Sequence, residues 1–174
     1  RRASHDPHGA ATILEAVFLL GVSMYEERLV YDQLLLGFGL MGDASAGLRL
    51  VAGQLGDGSR VDRIDAFERS RLDHLESHVL PIRTALWAVD RPRMGRHAGD
   101  VFRFARRADE RMWRVEAILQ MGRMRFDMPQ GHRADQLGVS RLLDQIEAET
   151  SDPVIRHAIE HSRSLTVEQF RMVR

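Results

Sequence analysis

Apolar residues recur along the chain at intervals of three and four, and no stretch alternates with the period of two that marks a half-buried strand. The pattern predicts an all-α chain. Asp6-Pro7 opens it, a capping carboxylate followed by a proline suited to the first helical position. Ile13, Leu14, Val17, Phe18, Leu19 and Leu20 carry a first helix, which Gly21-Val22-Ser23 is expected to interrupt or kink. A second is expected over 26–40, with Leu29, Tyr31, Leu34, Leu35, Phe38 and Leu40 as buried candidates. Gly37 within it permits close approach of a neighbouring helix. Asp43 reads as the cap of a third helix, running through Leu48, Leu50, Val51 and Leu55 to a stop at Gly56-Asp57-Gly58.

The texture then becomes more charged. Residues 59–79 predict an amphipathic helix with Ile64, Phe67, Leu72, Leu75 and Val79 on one face. Pro81 is expected to break or restart it, with a short continuation over 84–89. Two glycines and a proline make 90–99 the main internal loop. Helices follow at about 101–107, 109–125, 133–149 and 153–164, with a second loop at 126–132. A short last helix starts near Val167, where Thr166-Val167-Glu168-Gln169 has capping-box spacing. Short turns between such helices predict an antiparallel helical array. We read residues 1–174 as one domain, irregular over 8–90 and more regular over 100–174.

The regular part carries a resemblance. Trp113 to Arg125 contains Ala117-Ile118 and Met121-Gly122, and Leu142-Leu143-Asp144-Gln145-Ile146 reads as the packing face of a following helix. Asp152-Pro153-Val154-Ile155-Arg156-His157-Ala158 is similar to the Asp-Pro-x-Val-Arg-x-Ala start of a repeat helix. Together these segments resemble HEAT-type helical repeats over about residues 101–166. The resemblance implies an α-solenoid in this part, with Met121-Gly122 at a helix exit and a noncatalytic scaffold role. Independently of the family, Asp152 caps its helix, Pro153 pre-sets the first turn, and Arg156 can reach back to the preceding turn.

Composition narrows the function. A net charge of zero removes the general electrostatic argument for nucleic acid or an anionic membrane. Lys, Asn and Cys are all absent, so there is no thiolate metal site, disulfide or cysteine nucleophile. The longest apolar run, Ala16 to Met24, lies between Glu15 and Glu26 and falls short of the ~20 residues of a membrane span. No transmembrane segment is therefore expected. A chain beginning at Arg1 is compatible with a longer precursor bearing a signal or anchor.

Candidate chemistry is sparse. His157-x-x-Glu160-His161 has the spacing of an inverted zinc-protease helix, and His74 with His78 forms a second i, i+4 pair. The four histidines define a rival reading, a metal-binding helical bundle. Against it, the first pair sits in the repeat-like segment and the second on a charged helix face. Residues 91–114 hold eight arginines with Phe102, Phe104 and Trp113 interleaved. Arg103, Arg106, Arg107, Arg111 and Trp113 are accordingly candidates for partner binding, with nucleic acid as a further alternative. Carboxylates at Asp100, Asp109, Glu110 and Glu116 weigh against nucleic acid. No nucleophile motif, phosphate loop or dinucleotide fingerprint occurs. The expected function is a noncatalytic interaction or assembly module without a cofactor, whose apolar stretch over 16–40 faces a protein partner.

Overall fold

The structure is a computed structural model, and it describes residues 6–88, 94–127 and 133–164. Among the described residues there are helices and short connections but no strand. The chain divides into two compact units, Arg1–Pro81 and Ile82–Arg174.

In the first unit α1 spans Pro7–Glu27, and the Asp6 carboxylate accepts from the amides of His8 and Gly9 at 3.1 and 3.0 Å. Gly21 neither interrupts nor kinks this helix. It is the point at which α1 crosses α2, Tyr31–Leu55. A Cβ on Gly21 would lie 2.7 Å from the Gly37 carbonyl oxygen, and one on Gly37 would lie 2.7 Å from both the Gly21 oxygen and the Tyr25 nitrogen. Backbone thus packs directly on backbone. Asp43 does not start a separate helix either, since α2 runs through it. The buried series Met41, Ala44, Ser45, Leu48, Val51 and Ala52 keeps helical spacing across that point. The reversal between α1 and α2 falls instead at residues 28–30, and α2 ends at Gly56 with φ 67°.

α3, Gly58–His74, lies along both members of this hairpin. Phe67 meets Phe18 edge to face at 5.5 Å, and Tyr25 donates to the Arg71 carbonyl at 3.1 Å. Arg49 donates to Asp65 at 2.8 Å and pairs with Glu68, while Arg71 pairs with Glu26. Pro81 fails to break the helix. A π turn over Leu75–Val79 precedes it, and the chain continues as α4, Leu80–Trp87. The wider turn sends the Leu80 amide to Leu75, easing the backbone just ahead of a residue that has no N–H to give.

The second unit is built around α6, Arg111–Asp127, which packs against α5 (Met94–Arg107), α7 (Arg133–Glu149) and α8 (Pro153–Ser164). Met112, Ile118, Met121 and Met124 are fully buried in it. The loop expected over 90–99 is helical from Met94, because Ala98, Val101, Phe102 and Ala105 extend one buried stripe. Gly122 is not a helix exit. It sits inside α6 against Ser162, whose Cβ would be 2.7 Å from an added methyl. Phe126 and Asp127 belong to α6; the remainder of the loop over 126–132 and the helix expected from Val167 lie outside the described residues.

The start of α8 follows the sequence reading. Asp152 accepts from the Val154 amide at 2.9 Å and from Arg111 Nε at 2.7 Å, and Arg156 donates to the Thr150 carbonyl at 3.2 Å. Burial raises the Asp152 pKa, but the Val154 amide and the Arg111 guanidinium outweigh it and hold the carboxyl below its usual 3.8. A depressed folded pKa gives stability that is present above 3.8 and lost as pH falls through the folded value. Asp152→Ala should therefore cost about 1 kcal/mol at neutral pH. The gap from the parent chain should close on acidification below 3.8, as read by urea unfolding across pH. A gap that stays constant into strong acid would contradict this.

Candidate interaction surface

The histidine pairs lie in different units. His74 is half-buried, with Nδ1 2.7 Å from the Tyr25 hydroxyl. This contact and the bond to the Arg71 carbonyl both help fasten α3 to α1. The ring of His78 sits 5.2 Å from that of His74, and His78 is exposed. His157 and His161 are exposed on α8. Among the described residues no group of three or more His, Asp or Glu side chains is placed to hold a metal ion.

The arginine stripe is largely committed to neighbours. Arg103 pairs with Asp100, Arg106 with Glu149 at 2.9 Å, and Arg111 with Asp152, while Arg107 is exposed. Trp113 is 4% exposed and Phe102 9%, so both belong to the core. An aromatic inside α6 offers no stacking face.

Sequence reading missed a cluster in the second unit. Trp87 donates its indole N–H to Glu116 at 2.8 Å, and Arg83 Nε lies 2.8 Å from the same oxygen, too poorly angled for a hydrogen bond. Arg83 and Arg123 both stack on Trp87, at 4.1 and 5.0 Å from the ring centre. Only the Arg83–Trp87 spacing of one helical turn hinted at this. Gln120, one turn beyond Glu116, is fully buried with neither amide atom hydrogen-bonded. A cleft of about 260 Å³ opens between α4 and α5, lined by Ile82, Leu86, His97, Val101 and Phe104. It is smaller than the ~300 Å³ at which ligand pockets usually begin.

The most distinctive surface is on the first unit. α3 covers one side of the α1–α2 hairpin, through Phe18, Tyr25, Ser45 and Arg49. On α1 the positions turned away from α3 are Ile13, Val17, Leu20 and Met24, spaced by four, three and four. On α2 the corresponding stripe is Leu36, Leu40, Asp43, Gly47, Leu50 and Gln54, with the same alternation of four and three. Ile13 is 67% exposed, Leu20 and Leu36 55% each, and Leu50 73%. Isolated exposed leucines are ordinary, whereas two adjacent stripes make a contiguous apolar patch.

The same helices amend the membrane expectation. Over an 18-residue stretch each, α1 and α2 have mean hydropathies of 1.3 and 1.4, and both are long and apolar enough to cross a membrane by length and composition. Single charges punctuate both helices, so neither holds one uninterrupted apolar run of that length. Core helices of folded proteins share this character, and here 17% of that stretch in α1 and 39% in α2 is buried. No family model matches the chain, and neither the curated proteins nor the solved structures provide a match.

Proposed function

We propose that the chain is a noncatalytic helical interaction module that docks a protein partner on the α1–α2 face. The observation that carries this reading is the pair of exposed stripes, Ile13 to Met24 and Leu36 to Gln54, on the side of the hairpin that α3 leaves bare. At 1.5 Å per residue the shorter helix is about 31 Å long, and two adjacent helices give a face about 20 Å wide. That is roughly 600 Å², close to the ~800 Å² per partner of a standard interface. For the second unit we propose a HEAT-like pair of repeats, α5–α6 and α7–α8. Support comes from α6 packing on α8 and α5 on α7, as stacked hairpins do, and from the cap at Asp152. In this reading the first unit carries the docking face.

Photo-crosslinking residues placed at Leu36 and Leu50 test the reading in the host cell. One discrete protein adduct is expected from both positions and none from a control at Gln145, which is exposed on α7. Adducts with lipid alone, or none at all, would refute a protein-docking face. A companion variant, Ile13→Ser with Leu20→Gln, Leu36→Gln and Leu50→Gln, should unfold within about 2 kcal/mol of the parent, each exposed site costing at most ~0.5. It should nevertheless lose the adduct.

A further inference from the structure

The apolar face contains one charge at its centre, and that charge constrains what can cover it. Asp43 sits in the α2 stripe between Leu36-Leu40 and Gly47-Leu50, one turn from each. It is exposed and makes no ion pair among the described residues. The arginine nearest in the stripe's own helix, Arg49, is turned to α3 and held by Asp65 and Glu68. Any partner that buries Ile13, Leu20, Leu36 and Leu50 therefore also removes Asp43 from water. A carboxylate desolvated without a counter-charge is heavily penalised, and one met by a cation is not.

We infer that the partner presents an apolar helix carrying a single Arg or Lys at the position that meets Asp43. The inference rests on the docking role proposed for this face. A second copy of the chain fits poorly, because the stripes Ile13–Val17–Leu20–Met24 and Leu36–Leu40–Gly47–Leu50–Gln54 contain no cation to offer an opposing Asp43. An anionic lipid surface fits poorly for the same reason, as its binding draws on Lys and Arg around the apolar face. The shallow groove between the two helices accepts a third helix, whose own stripe of Leu at three and four spacing interdigitates with both.

The probes are three amphipathic peptides about three heptads long, capped at both ends, with identical leucine stripes and neutral exteriors. They differ only at the central stripe position, which is Arg, Leu or Glu. Calorimetry on the full chain should show the Arg peptide binding at least about tenfold more tightly than the Glu peptide. Asp43→Arg should reverse that order, and Asp43→Leu should make the Leu peptide the best ligand. Arg and Glu peptides binding equally, or an Asp43→Arg variant that keeps the original order, would overturn the pairing while leaving the apolar face intact as a docking site. If no peptide binds and crosslinks at Leu36 and Leu50 are also absent, both readings fall. Sedimentation showing a dimer that Leu36→Gln dissociates would assign the face to a second copy and overturn the pairing with a foreign cation.

Discussion

Adding one methyl group at position 37 is expected to destabilise the first unit by about 1–3 kcal/mol. Helix propensity alone predicts the reverse, since replacing glycine by alanine inside a helix gains up to about 1 kcal/mol. The geometry decides between them. The new Cβ of Gly37→Ala would sit 2.7 Å from a backbone oxygen and a backbone nitrogen of α1, and neither can swing aside like the end of a side chain. The two helices must part along much of their length, loosening Tyr25, Leu34 and Met41 around the crossing. Gly39 supplies the control, because a Cβ there meets nothing within 4 Å. Gly39→Ala should be neutral or stabilising, and Gly37→Leu should abolish cooperative unfolding of this unit. Equal urea midpoints for the Ala variants at 37 and 39 would refute the close crossing.

The second large effect belongs to Glu116, whose side chain is 6% exposed. Glu116→Leu removes the acceptor of the Trp87 indole and the counter-charge of Arg83. Breaking a fully buried ion pair costs about 3–5 kcal/mol, but Arg83 is 28% exposed and regains some hydration, so about 2–3 is expected. Glu116→Gln keeps an oxygen for Trp87 and should lose only about 1 kcal/mol. Tryptophan fluorescence during urea unfolding, from Trp87 and Trp113 of the same unit, reads both variants. Identical losses for Leu and Gln would mean that the hydrogen bond contributes nothing and that only the lost charge matters.

Helical character was legible over most of the chain, though not at 94–99, and so were the starts at Asp6-Pro7 and Asp152-Pro153, because a cap and a proline act on their own first turn. The misread positions share a different physics. Gly21 and Gly122 looked like a break and an exit, yet each marks a place where another backbone or a small side chain comes close. A glycine that frees the chain and one that admits a neighbour are the same residue in one dimension. Pro81 looked like a stop because the π turn that accommodates it has no sequence signature of its own. Ion pairs were legible only when local. Arg103 with Asp100 follows from spacing, whereas Arg106 with Glu149 and Arg111 with Asp152 join residues some forty positions apart. That distance concealed how much of the arginine stripe is internal bracing. The apolar stretch over 16–40 includes exposed Leu19, Leu20, Leu35 and Leu36. Its alignment with Leu50, and the place of Asp43 within it, depended on α2 being one helix rather than two.

The methionines around α6 have a consequence for how the second unit ages. Met112, Met121 and Met124 are entirely enclosed. Peroxide can reach their sulfur only when the helices separate, and each sulfoxide then introduces a polar oxygen that the repacked interior cannot accommodate. Oxidation at these three positions is thus a clock that runs only while the unit is open, and one that prevents it from closing again.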